Sequence, residues 1–363
     1  MKSSPLQSLS MEQARLKQFR LVDIICRHFP GEDFLTLGDV GLATGLNQPH
    51  MTRRVEAVLA DFFSAPAAAL VQGAGTGAIR SGLAALLKAG DKLLVHDAPL
   101  YPTTAVIAEQ MGLELVRADF NELSEVEKSI VAHRPVVALV QHTRQQLDDA
   151  YHLAEVIACF NHHGLPSLTD DNYAVMKVDK IGCECGATLS TFSSFKLFGP
   201  AGVGVVVGEA GAVKAVRHSL YSGGSQVQGL QAMEVLRGLV FAPVMHAIQA
   251  QVNDELVAAL NAGAIPQVKQ ALIANAQSKV LLVEFHRPIA EQVLAEAHKL
   301  GALPYPVGAE SKYEVPPLFY RVSGTFRQSD ASLEQRTIRI NPNRSGAGTV
   351  LRILRESCAA VEK

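Results

Sequence analysis

A chain of 363 residues with an apolar fraction of 48% can bury a sizeable core and exceeds the length of one typical domain. Its 33 basic and 35 acidic residues leave a formal net charge of −2, which gives no general attraction to nucleic acid or an anionic membrane, so a small-molecule ligand is expected. Five scattered cysteines, a polar first ten residues and no apolar run of bilayer length argue against a disulfide framework, a secretory segment or a membrane span, and predict a soluble, cytoplasmic protein.

In chain order, residues 11–29 read as a helix stopped at Phe29-Pro30-Gly31, and 38–49 as an irregular, glycine-rich crossing. Residues 51–63 form a second predicted helix with Val55, Val58, Leu59 and Phe62 on one face. Residues 69–87 then read as strand, glycine turn and helix. Gly73, Gly75 and Gly77 let backbone N–H groups approach an anion at the helix start, and Thr76 adds a hydroxyl donor. The same stretch fits G-x-G-x-x-A, and the strand 92–96 ends in Asp97 where a dinucleotide-binding domain places its ribose-binding acid, so a nicotinamide cofactor stands as a rival at this point. Tyr101 lies just past that strand and before a helix, placed to stack on a flat ring or to cap the strand edge. Strands at 113–119 and 135–141 flank a helix at 122–133, and the second runs into the polar Gln141-His142-Thr143-Arg144-Gln145-Gln146.

A helix at 153–163 leads to a short apolar strand ending in Asp170, with Tyr173 three residues on. Cys183-Glu184-Cys185 has no second pair at zinc-finger spacing and reads as two loop thiols, with no metal centre expected. The apolar runs 188–195 and 203–208 suggest strands covered on both faces, and between them Lys196 is the lone charge. Such a setting penalises the ammonium form and favours the nucleophilic free amine, although a lysine at a strand end can also simply snorkel. Alternating strands and helices across 65–220 imply a mostly parallel sheet sandwiched by helices, with ligands at its carboxyl edge, where Asp170 and Lys196 both fall. After a glycine-rich turn at 221–226 and a long helix at 228–260, the pattern becomes α+β: strands at 280–285, 318–322 and 336–341, helices at 289–300 and 349–361. The expected organisation is an N-terminal arm (1–50), a large domain (51–262) and a small C-terminal domain (263–363).

Two strings carry a family resemblance. Asp170-Asp171-Asn172-Tyr173-Ala174 resembles the S-D-E-I-Y-A stretch of pyridoxal phosphate aminotransferases, and Ser193-Ser194-Phe195-Lys196 followed by Gly199 resembles their S-x-x-K-x-x-G segment. The glycine turn is similar to the family's S-G-T-x-A phosphate cradle, Tyr101 to the stacking tyrosine of cystathionine lyases, and R-I-N at Arg339-Ile340-Asn341 to the carboxylate-binding segment of aminotransferases. The resemblance is to the fold type I superfamily over roughly residues 50–350. It implies pyridoxal 5′-phosphate held as a Schiff base on Lys196, with Asp170 at the ring nitrogen, Tyr173 at the ring oxygen, Gly75, Thr76, Gly77 and Ser193 on the phosphate, and Arg339 on the carboxylate of an amino-acid substrate. It also implies a homodimer with active sites at the interface. The nicotinamide reading leaves Asp170, Tyr173 and Lys196 without roles. Gln141 or His142 stands where the family has an asparagine, and no arginine follows Lys196 to balance the phosphate, leaving Arg53 or Arg54 as substitutes. Amino-group transfer is the expected reaction. A side-chain-eliminating lyase is the alternative, and a cofactor-binding protein without turnover a third class.

Overall fold

The computed structural model describes residues 3–274, 279–307 and 310–362. Helix α1 (Met11–His28) starts at a reciprocal cap in which the Ser10 hydroxyl accepts from the Gln13 N–H and the Gln13 side chain accepts from the Ser10 N–H, satisfying two otherwise orphan donors. A short 3₁₀ turn (Gly31–Leu35) follows, and residues 36–49 carry no regular structure, as their glycine content predicts. Helix α2 (His50–Phe62) buries Val55, Val58, Leu59 and Phe62, the face read from the sequence.

The large sheet contains β1 (Ala67–Gln72), β2 (Lys92–His96), β3 (Glu114–Ala118), β4 (Val137–Gln141), β5 (Ser167–Asp170), β6 (Leu189–Ser193) and β7 (Val203–Gly208). Among the described residues its order is β1-β7-β6-β5-β4-β2-β3, and every strand except β7 runs in the same direction. This is not the strand order of a dinucleotide-binding domain, which removes the rival reading of Gly73–Asp97. Helices α3 (Ala74–Leu86), α4 (Pro102–Gln110), α5 (Leu123–His133), α6 (Leu153–His162) and α7 (Ala210–Ser219) are the crossovers and flanking layers. Strands β5, β6 and β7 and most of β1 are buried on both faces, which explains their continuous runs of uncharged residues. The register pairs Gln141 with Asp170 and Asp170 with Thr191, so the carboxyl ends of β4 and β5 finish level and β6 runs two residues further, to Ser193.

Helix α8 (Gly229–Asn261) runs from this layer to a second sheet of β8 (Val268–Ala274), β9 (Val280–Phe285), β10 (Leu318–Arg321) and β11 (Thr337–Asn341), ordered β10-β11-β9-β8 and antiparallel throughout. Contrary to the expectation from sequence, the stretch 223–261 is long and apolar enough to cross a bilayer by length and composition. More than half of its most apolar window is buried inside the fold, where Met233, Leu236 and Leu239 join the core beneath the large sheet and Leu256 and Leu260 join that of the small one. Serving two cores leaves α8 without a single polar face. Helices α9 (Ala290–Lys299), α10 (Gly324–Ser329), α11 (Leu333–Arg336) and α12 (Ala347–Val361) complete the chain. Strand β8 and helices α7, α10 and α11 were not read from the sequence.

Candidate active site

These carboxyl strand ends open into a pocket of about 640 Å3 lined by Gly75, Thr76, Tyr101, Asp170, Tyr173, Ser193 and Lys196, seven of the nine predicted site residues. Lys196 comes from the 3₁₀ turn Ser194–Leu197 that carries the chain from β6 into the antiparallel β7. Its Nζ lies 3.2 Å from Asn172 Oδ1 and 4.1 Å from the centre of the Tyr173 ring. Burial lowers its pKa to about 8, against the opposing pull of Asp170 and Glu310. At neutral pH a measurable fraction of the amine is therefore unprotonated.

Asp170 is buried at the end of β5, and desolvation raises its pKa, opposed by Lys196 and by the amide and backbone N–H of Asn172 at 2.7 and 3.1 Å. A buried carboxylate in this position is short of positive charge, and a protonated heterocycle would provide it. Directly after Asp170 the backbone turns sharply: Tyr173 has φ +67°, in the left-handed region, stabilised by Asp171 N–H to Thr191 O and Ala174 N–H to Asp171 O. A bulky residue there costs of order 1–3 kcal/mol, and the turn aims its ring face at Lys196. Burial raises the Tyr173 hydroxyl pKa well above its ordinary value, followed by the effects of Tyr101, Glu310 and Tyr320.

At the start of α3, the N–H groups of Gly75 and Thr76 have no acceptor within the helix and face the pocket, an anion-binding arrangement. A Cβ on Gly75 would sit 2.6 Å from the Asn172 amide atoms. Gly77 differs from its sequence-based assignment. It is buried, its N–H donates to Gly73 O, and a Cβ on it would lie 2.0 Å from Gln72 O, so it seats α3 against β1 instead of offering a donor to an anion.

Arg339 lies on β11 opposite Tyr320, outside the lysine pocket, and lines a separate, solvent-open cleft. Its guanidinium stacks 3.9 Å over the Tyr320 ring, its Nε donates to Arg321 O at 2.6 Å, and the hydroxyls of Tyr173 and Tyr101 act on its charge. Arg336 is tied to Asp330 and Glu284, and Arg344 stacks on Phe198. Neither Arg53 nor Arg54 lines the pocket; Arg54 is held by Asp33 and the carbonyl of His28. Among the described lining residues Lys196 is the sole cation.

Of the two candidates for the missing asparagine, Gln141 lines the pocket, whereas His142 turns away and meets buried Asp171 at 2.6 Å. Sequence reasoning passed over Thr143, Gln145 and, above all, Asn172. Asn172 Nδ2 donates to Asp170 while its Oδ1 accepts from Ser193 N–H at 3.0 Å and from Lys196, tying the ends of β5 and β6 together. Its place inside the Asp170–Ala174 string was the available signal. Loop thiols Cys183 and Cys185 are free and lie away from the pocket.

An aldehyde-bearing, phosphorylated heterocycle fits this donor set: a partly deprotonated lysine, a buried carboxylate in need of a cation, and a helix start whose glycine admits no side chain. Relatives agree. The chain is 69% identical to the Escherichia coli protein YhfS over 99% of its own length and 100% of that protein's. It superposes with TM-score 0.98, over the same shares of the two chains, on the crystal structure of that pyridoxal-5′-phosphate-dependent protein. A cystathionine gamma lyase from Micromonospora echinospora, 18% identical, shares the fold with TM-score 0.71 over 89% of this chain and 93% of its own. A cysteine desulfurase from Cronobacter sakazakii is 32% identical over 130 residues, 33% of this chain and 31% of its own. Residues 254–354 match the YhfS-like C-terminal domain family and residues 47–285 the aminotransferase class-V family. With two thirds of its length in that second match, the chain belongs to the class-V aminotransferase family and is a pyridoxal-phosphate-dependent enzyme of fold type I.

Proposed function

We propose that this enzyme eliminates a leaving group, a thiol in the first instance, from the side chain of an amino acid. Pyridoxal 5′-phosphate, when bound, supplies an aldehyde that captures an amine and a heterocycle that takes up an electron pair. The protein's part is proton handling and orientation. Lys196, with its pKa lowered to about 8, takes the Cα proton, and Asp170 holds positive charge on the heterocycle. Gly75, Thr76 and Ser193 receive the phosphate, and Arg339, beyond Tyr101 and Tyr173, receives the substrate carboxylate.

The observation that carries elimination over transfer is the pair of phenols, Tyr101 and Tyr173, lining the pocket around the Lys196 amine. Transfer needs only the lysine to carry a proton between two carbons. Elimination also needs an acid for the departing sulfur, and Tyr101, which lines the same pocket, is the group assigned that duty. The match of Tyr173 to the aminotransferase string loses weight because it offers its ring face to the amine, with Glu310 and Tyr320 acting on its hydroxyl. The lyases among the structural neighbours lean the same way. Amino-group transfer stays as the second reading, favoured by Arg339 in its R-I-N setting.

Holoenzyme incubated with cystathionine, methionine or cysteine conjugates and no keto-acid acceptor separates the two. Elimination consumes one water and releases thiol, keto acid and ammonia in equal amounts over many turnovers. Transfer stops at one keto acid per site with no ammonia, and that result would remove the lyase reading.

We further propose a homodimer. The arm and α8 present a continuous apolar face, Leu35, Leu37, Val40 and Leu42 beside Leu230 and Phe241, with Val40 77% and Phe241 61% exposed. The arm is pinned along α8 by Arg237 to the carbonyls of Phe34 and Thr36, so the face is a built surface.

A further inference from the structure

On the outer layer of the large sheet, away from the pocket, helices α5 and α6 bring together Glu127, Cys159 and His163, whose donor atoms all lie within 4.8 Å of one another. We infer that these three residues form a binding site for a single divalent cation of the zinc or cobalt type. The mechanism above uses none of them. Cys159 and His163 are one turn apart, and the His163 N–H donates to the Cys159 carbonyl, so α6 itself sets thiol and imidazole on one face. Glu127 reaches in from the neighbouring helix.

Three features point to a cation here. Nε2 of His163 is buried and makes no hydrogen bond, the kind of orphan that an ion or water ordinarily explains. Cys159 is 8% exposed, so its Sγ is shielded from bulk water where it meets the other two donors. The donor set is one thiolate, one imidazole and one carboxylate, which suits a borderline metal over calcium or magnesium. Ligands of a tetrahedral zinc stand about 3.5 Å apart, so the trio must contract by about 1 Å, and exposed Glu127 is free to move. Solvent beside Glu127 leaves the fourth position to water. His163 closes the end of α6 that leads into the start of β5, whereas the lysine pocket lies at the strand's other end, so the site is an external clamp between α5 and α6, independent of the reaction proposed above.

The test is cobalt(II) titration of borohydride-reduced holoenzyme, whose cofactor no longer absorbs in the visible. One equivalent should give a near-ultraviolet thiolate-to-cobalt band and tetrahedral d–d absorption, and zinc should abolish both. Cys159→Ala should remove the thiolate band, and the exposed-surface change Glu127→Gln should weaken binding at least tenfold while leaving the fold intact. Zinc should raise the unfolding midpoint of the parent and not of Glu127→Gln. A band that survives Cys159→Ala, and so arises at Cys183 or Cys185, or the absence of any thiolate band at stoichiometric metal, overturns the assignment. If Cys159→Ala fails to fold, unchanged affinity in both Glu127→Gln and His163→Gln does the same.

Discussion

Replacing Asn172 by leucine keeps the volume of a buried side chain and removes both of its polar ends. Ser193 then has a buried N–H with no acceptor, which costs about 1–3 kcal/mol, and Asp170 loses a charge-assisted bond of 2.7 Å worth about 1.5–3 kcal/mol. The cofactor-free protein should therefore lose about 3–5 kcal/mol in urea unfolding. A companion variant, Asn172→Asp, keeps an acceptor for Ser193 and Lys196 but sets a carboxylate against Asp170, so the pair shares a proton and the Lys196 pKa rises above about 8. Both effects are readable together, stability by denaturant and the lysine by the pH dependence of its reaction with an amine-directed reagent. Asn172→Leu losing less than about 1 kcal/mol with an unchanged lysine midpoint would refute the view that this amide organises the site.

Three other perturbations separate the roles assigned above. Gly77→Ala should fail to fold, because its Cβ would meet a backbone carbonyl at 2.0 Å, whereas Gly75→Ala, whose clash is with the Asn172 side chain and not with backbone, should fold with reduced stability and impaired cofactor retention; equal behaviour in expression and cofactor-absorbance assays would contradict this. Lys196 has a folded pKa of about 8 against 10.5 unfolded, so between those values the unfolded chain binds more protons and stability rises with pH. The penalty is fully present below pH 8, and Lys196→Met should remove that slope and stabilise the cofactor-free protein at pH 7 by at most about 3 kcal/mol, less for a half-buried amine; parallel stability-against-pH curves for the two proteins would contradict the lowered pKa. Phe241→Glu with Leu37→Glu should halve the sedimenting mass if the apolar face joins two copies, and an unchanged mass would locate the interface elsewhere.

Much of the site was legible because its parts are local strings placed on one sheet edge by the strand–helix alternation. Asp170, Lys196, Tyr101 and the start of α3 needed only short-range spacing plus the rule that ligands sit at carboxyl ends. Gly77 was misread because a glycine triplet does not show which N–H the helix has already engaged. Asn172 was overlooked because its value lies in joining β5 to β6, a contact between residues 21 and 24 positions apart. Arg339 stands out in the sequence by its R-I-N string, but its place behind Tyr320 depends on the pairing of β10 with β11, which spacing does not reveal. Strand β8 escaped notice because it is an edge strand with Lys269 and Gln270 breaking its apolar alternation.

The lysine and the aspartate are coupled in a way that bears on how the site works. Burial pushes the Lys196 pKa down, and Asp170 is the largest influence holding it up. Glu310 and Lys177 act on the amine with opposite signs and are ion-paired with each other. After burial, Asp170 is the leading influence on the lysine's protonation, and Asn172 touches both. A cationic ring nitrogen held by Asp170 would offset the carboxylate's charge and leave burial as the main influence on the Lys196 amine. The same carboxylate would then serve both groups, holding the charge of a bound ring and, before the ring binds, opposing the loss of the Lys196 proton.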